Sequence, residues 1–182
     1  MVEAAGKSHP AERSCAHETL QEVFARCQNE LLGLLVHMVG NPEDARDAYQ
    51  DTFLKCWRSR DQVPSVRNLK AWIFRIALNT ARDMRQTAWR RHRRDLPDEG
   101  FDVAGHSDNP EEAVETAEQM ALIRTAVSQL RTEEKEVFLL RQNAELTYEE
   151  IAETLGIPSG TVKTRMRLAL ARLRISLSEP CS

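Results

Sequence analysis

Apolar residues return at every third or fourth position along almost the whole chain, the spacing of one helical face rather than the alternation of a strand. A first helix is predicted over Glu18–Val39, with Leu20, Val23, Phe24, Cys27, Leu31, Leu34, Leu35 and Met38 on its buried side. Asn41-Pro42-Glu43-Asp44 then reads as a helix start. Asparagine can cap, proline has no amide to waste in the first turn, and the acids suit the positive end of the helix dipole. That helix should run to about Arg58, turning Ala45, Ala48, Thr52, Phe53, Cys56 and Trp57 inward. Gln62–Arg67, with Pro64, reads as a loop. A long helix follows from Asn68, with Leu69, Trp72, Ile73, Ile76, Ala77, Thr80, Met84 and Ala88 as its stripe. Three such helices can bury a common core, so residues 18–94 are expected to form one domain.

The pattern lapses over residues 95–110, where Pro97, Gly100, Gly105 and several acids predict a flexible linker. Asn109-Pro110-Glu111-Glu112 repeats the helix-start chemistry and opens a second domain, expected over 111–178. Its first stripe is Ala113, Ala117, Met120, Ile123, Val127 and Leu130; Thr132 is expected to cap a short helix containing Val137, Phe138 and Leu140. The fold class predicted is all-α: two small helical domains joined by an acidic flexible linker. Residues 1–17 hold one lysine and no apolar stretch, which suggests a disordered tail rather than a secretory signal. The most apolar run, Leu31–Val39, is too short to insert into a membrane, so a cytoplasmic location is expected.

Composition changes this picture little, but charge changes it a good deal. A hydrophobic content of 41% with 29% charged residues suits a folded chain, and only 7 Gly and 7 Pro favour helices over a sheet built on tight turns. Cys15, Cys27, Cys56 and Cys181 have no paired spacing, so neither a metal nor any other cofactor is expected. The net charge of −3 argues against nucleic acid, yet its distribution argues for it. Residues 82–94 carry six arginines against Asp83, and residues 163–174 carry five basic residues and no acid. Between these blocks, 95–118 holds nine acids and no Lys or Arg. Two basic patches on either side of an acidic bridge need an explanation.

The stretch 146–167 (LTYEEIAETLGIPSGTVKTRMR) is the most informative. Thr147 and Glu150 form a capping box; Ile151, Ala152 and Leu155 give a short apolar face; Gly156 supplies a left-handed turn anchored by Ile157. Ser159 is expected to cap a second helix, with Val162, Met166, Ala169 and Leu173 inward. Small Ala152 lets two helices cross steeply, which makes a helix-turn-helix. Lys163, Thr164 and Arg167 near the leading end of its second helix suit base edges and phosphates in a major groove. The other reading is a helical hairpin whose basic face is merely solvated.

The first domain has two further faces of interest. Asp47, Gln50 and Asp51 lie together beside the apolar seam ending in Phe53 and Trp57; taken alone they read as a solvated acidic face. Arg75, Asn79, Arg82 and Gln86 line the third helix opposite its core stripe, with Trp89 among the arginines beyond. Amides and guanidiniums suit bases and phosphates, and an aromatic can stack on an unpaired base; a solvated helix with Trp89 and Phe74 packed is the alternative.

With both domains in view, the chain resembles an extracytoplasmic-function (ECF) sigma factor of the bacterial sigma-70 family. Residues 40–57 (GNPEDARDAYQDTFLKCW) resemble the family's polymerase-docking helix, and 71–83 (AWIFRIALNTARD) its minus-ten promoter-reading helix. Thr147–Arg167 resembles its minus-thirty-five helix-turn-helix. The resemblance covers most of Glu18–Leu177, with the motifs in the family's order. It implies a promoter-specificity subunit, not an enzyme, with core RNA polymerase and promoter DNA as partners, the DNA both as duplex and as melted non-template strand. Asp47, Gln50 and Asp51 would then meet the polymerase clamp helices. Asn79 and the loop Ser65–Asn68, including Arg67, would hold a flipped base, with Arg82 on phosphate and Arg75 and Gln86 on the same face. Ser159, Thr161, Lys163, Thr164, Arg165 and Arg167 would contact the upstream duplex. An anti-sigma factor masking both domains is also implied.

Two departures stand out. The loop before Trp72 reads Val63-Pro-Ser-Val-Arg-Asn where many members have an aromatic-Arg-Gly sequence, and Leu168 occupies a position that is often basic. A stand-alone regulator, binding an operator as a dimer, is the competing class. An enzyme acting on nucleic acid would need clustered carboxylates, an activated nucleophile or a phosphate-binding glycine loop, and the sequence offers no such cluster.

Overall fold

The computed structural model describes residues 19–92 and 120–178. Within them every regular element is a helix. The predicted tail, the linker, Ala113 and Ala117 lie outside the described residues, as do the side chains of Ala88 and Trp89.

The single first helix expected over Glu18–Val39 is two: α1, Leu20–Arg26, and α2, Gln28–Val39. Thr19 and Glu22 form a capping box that starts α1 later than expected. Cys27, at φ −96° and ψ 18°, interrupts the pair, although its N–H still bonds the Val23 carbonyl and its carbonyl accepts from Leu31. The apolar stripe therefore runs through the break, which is why periodicity alone did not reveal it. Gly40, at φ 98°, closes α2 in the left-handed region.

α3, Pro42–Arg58, starts as its sequence demands: the Asp44 N–H donates to Asn41 Oδ1 at 2.7 Å, with Pro42 in the first turn. Phe24 of α1 sits 4.9 Å from the Tyr49 ring and 5.1 Å from the Phe53 ring, so aromatics join α1 to α3. Trp57 does not face inward. It is 40% exposed, stacked on Phe53, with the Arg60 guanidinium 5.2 Å from its ring centre. The expected loop is partly a 3-10 turn, Arg60–Ser65.

α4, Leu69–His92, is buried more widely than one stripe. Ile73, Ala77 and Thr80 are enclosed as predicted, but so are Ala71, Phe74, Leu78 and Ala81. The reason is tertiary: α1, α2 and α3 cover one side of α4, and a helix of the second unit covers another.

In the second unit, α5 is helical over 120–128, followed by α6, Thr132–Gln142, α7, Tyr148–Leu155, and α8, Ser159–Ser178. Val127 and Leu130 are buried as the stripe predicts, whereas Met120 and Ile123 are exposed. Thr132 is not a cap: it is the first residue of α6, and Arg131 before it stands in the capping position without a side-chain cap hydrogen bond. Val137, Leu139, Leu140, Ile151, Val162, Met166 and Ala169 form the core between α6, α7 and α8.

Candidate nucleic-acid interfaces

The helix-turn-helix forms where its local chemistry demands. The Glu150 N–H donates to Thr147 Oγ1 while the Thr147 N–H donates to Glu150 Oε2, and Gly156 ends α7 at φ 66°. The hydrogen bonds from Thr147, backbone first, hold the Glu150 carboxyl below its ordinary pKa. Ser159, expected as a cap, is instead the first residue of α8. The Pro158 carbonyl accepts from Thr161 and Val162, and Ser159 Oγ donates to Glu149 of α7 at 3.4 Å. Lys163, Thr164 and Arg167 are exposed on the leading turns of α8; Thr161 and Arg165 are half-buried. Leu168, on the same helix, is exposed as well.

On α4, Arg75, Asn79, Arg82 and Gln86 are all exposed at helical spacing, so the predicted face exists as one surface. Ser65 and Arg67 are exposed just before it. Asn68 is half-buried: its Oδ1 accepts from the Ala71 N–H at 2.9 Å, capping α4. The Arg82 guanidinium also donates to Asn79 Oδ1 at 3.1 Å.

Several functional-looking contacts had no signal in the sequence. Arg82 Nε and Nη2 each lie 2.6 Å from a carboxylate oxygen of Glu136 on α6, a two-point pair between the two units. Asn68 Nδ2 donates to Glu150 Oε1 at 2.7 Å. Asn143 Nδ2 reaches the Glu30 carbonyl of α2 at 3.3 Å, and a Cβ on Gly33 would come within 2.8 Å of that same amide. Glu134, Lys135 and Glu136 are buried in sequence order at the start of α6, where a run of charges reads as solvated. Glu134 pairs with Arg172 of α8, and Lys135 Nζ donates to the Ser128 carbonyl at 3.0 Å. Burial, then the Arg85 charge, lowers the Lys135 pKa. Close by on α2, His37 Nδ1–H bonds the Gly33 carbonyl at 2.8 Å. Burial foremost, with the Lys135 and Arg124 charges adding to it, lowers the His37 pKa.

Asp47, Gln50 and Asp51 are exposed together on α3. Gln50 also lines an apolar cleft of ≈ 450 Å³ between α1 and α3, with Phe24, Tyr49, Phe53 and Leu54 among its walls. The buried Cys27 and Cys56 are free thiols, and burial pushes the Cys56 thiol up to about 12, which keeps it protonated and inert.

Comparison with known proteins agrees with this arrangement. The sigma-70 region 2 family pattern matches residues 23–94, and the sigma-70 region 4 pattern matches 120–173. The chain is 32% identical over 151 residues to the ECF RNA polymerase sigma-E factor of Haemophilus influenzae, covering 79% of each chain. It is 30% identical over 150 residues to the RNA polymerase sigma-H factor of Pseudomonas aeruginosa, covering 76% of each. In fold it is similar to the sigma factor RpoE from Bartonella quintana, solved with the anti-sigma factor NepR. That match has a TM-score of 0.72 at 23% identity over 88% of this chain and 97% of that one. CnrH, solved with the cytosolic domain of CnrY, matches with a TM-score of 0.59 at 24% identity, over 87% and 86% of the two chains. The chain belongs to the ECF sigma factors of the sigma-70 family, and its function is that of an RNA polymerase sigma factor.

Proposed function

We propose that this protein works without catalysis of its own, in the cytoplasm, by joining core RNA polymerase to a promoter through three separate surfaces. Asp47, Gln50 and Asp51 on α3 meet the polymerase clamp, with the adjoining apolar cleft taking up a hydrophobic side chain of that partner. The α4 face from Arg75 to Gln86, with the segment Ser65–Asn68, holds the melted minus-ten strand. Asn79 faces a flipped base and Arg82 a phosphate; extruding a base costs a few kcal/mol, which those contacts offset. The leading turns of α8, from Ser159 to Arg167, enter the major groove upstream.

The observation that carries this reading is the family match over both units, combined with the exposure of all three surfaces on different helices. A nucleic-acid enzyme would instead gather its polar groups at one reacting centre. By the same likeness an anti-sigma factor is an expected partner.

Pull-down of core polymerase by the full chain is the direct test. The double substitution Asp47→Ala and Gln50→Ala should abolish capture while circular dichroism stays unchanged, since both side chains are exposed. Undiminished capture by that variant would remove the docking assignment.

A further inference from the structure

Among the exposed basic residues on the leading half of α8 stands one large apolar side chain. Leu168 is 41% exposed and directly follows Arg167. With Thr164 and Ala171 it forms a row at steps of four and three, the repeat of a single helical face, and all three are exposed. That face lies opposite the buried Val162, Met166 and Ala169. Lys163, Arg167 and Arg174, all exposed, run along one flank of it as cations suited to phosphates.

Thr164 adds less polarity to the row than its type suggests. Its hydroxyl donates to the Gly160 carbonyl at 3.0 Å and has no proton left for a base. Gly160, one turn earlier, is exposed, and a Cβ there would meet nothing within 4 Å, so no contact among the described residues calls for glycine. Its missing side chain leaves the row open to close approach from outside. Leu170 is exposed as well, but two residues on it turns to another side of the helix, and Ile175 and Leu177 follow about two turns later.

An apolar row bordered by cations can match one apolar feature of the major groove, the C5-methyl of thymine. Guanine, adenine and cytosine would set polar edges against the leucine and leave them desolvated without a partner, so the same contact rejects them. We propose that Leu168 is a specificity-determining residue of α8, which reads the C5-methyl of a thymine in the upstream duplex. This rests on the assignment of α8 to the major groove.

The test uses the full chain bound to core polymerase. Duplexes with a randomised upstream element are selected for binding. Each thymine of the selected element is then replaced in turn by deoxyuridine, which differs only by the missing methyl. Removing one methyl from an apolar contact is worth about fourfold in affinity, so deoxyuridine at one position should weaken binding by about that factor and elsewhere should change it little. Leu168→Ala, with an unchanged circular dichroism spectrum, should bind the thymine and deoxyuridine duplexes alike. Leu168→Lys, put through a fresh selection, should trade that thymine for guanine, whose N7 and O6 accept from lysine. Tolerance of deoxyuridine at every position, or a deoxyuridine penalty that survives Leu168→Ala, would overturn the proposal while leaving α8 in the groove. Undiminished duplex affinity in Lys163→Ala would overturn the α8 assignment, and the thymine contact with it.

Discussion

α4 and α8 carry the same kind of chemistry and stand in opposite circumstances. Each presents basic and hydrogen-bonding side chains on one helical face, backed by an apolar stripe. On α8 the leading residues Lys163, Thr164 and Arg167 point into solvent. On α4 and at its cap the corresponding chemistry is engaged: Arg82 by Glu136, the capping Asn68 by Glu150. The difference lies in what each helix packs against. α8 turns its buried side to α6 and α7 and leaves its outer face bare, whereas α4 is gripped by α1, α2 and α3 and also by α7. Similar surfaces thus differ in availability because only one of them sits at the junction of two units.

The strongest way to break the comparison is to remove its scaffold. Phe74 is fully buried in α4, and Phe74→Ala should cost about 3–5 kcal/mol, read as a lower urea midpoint. Next comes the contrast itself. Arg82→Ala strips the two-point partner from Glu136, whose side chain is only 5% exposed, while Arg82 itself is 43% exposed. A loss of about 1–3 kcal/mol is expected for that charged pair, against no more than about 0.5 kcal/mol for Arg167→Ala on the open helix. Equal losses at the two positions would erase the distinction.

Acid should sharpen it further. Burial favours the neutral His37 ring, so its folded pKa lies below the ordinary 6.5. The packing it supports is complete above 6.5 and weakens as pH falls below that value toward the lowered folded pKa. Melting temperature should therefore drop between about pH 7 and about pH 5.5, and His37→Gln should flatten that decline. Glu150 behaves differently: its depressed pKa gives stability that is present above 4.5 and lost as pH falls through the folded value, a more acidic window. The smallest effect belongs to α8. Lys163→Ala should weaken duplex binding by the polymerase-bound protein and reduce the slope of log affinity against log salt by about 1.

Much of the local architecture was legible because it depends on neighbours in sequence. The Asn41 cap, the Thr147–Glu150 box and the left-handed Gly156 each satisfy backbone groups within a few residues, so type and spacing suffice to find them. The exposed faces of α3, α4 and α8 follow from helical period in the same way. Where two local rules conflict, sequence misleads: Ser159 and Thr132 have capping side chains, yet each is the first residue of its helix, whose opening backbone hydrogen bonds run to the Pro158 and Arg131 carbonyls. Trp57 shows a related limit, since an aromatic on the core side of a helix end can stack on its neighbour and stay open to solvent.

By itself, then, the sequence determined an all-helical chain with two basic helices, one of them in a helix-turn-helix, because period, caps and turns are short-range properties. Only the tertiary structure decided that α4 is covered twice, that Glu134, Lys135 and Glu136 are buried, and that Arg82 and Asn68 are held by the second unit. Arg82 and Glu136 are 54 residues apart, and nothing in either neighbourhood announces the other. Such a pairing exists only once one continuous hydrophobic core has brought the helices of both units together, and burial has then made an unpartnered charge too costly to leave.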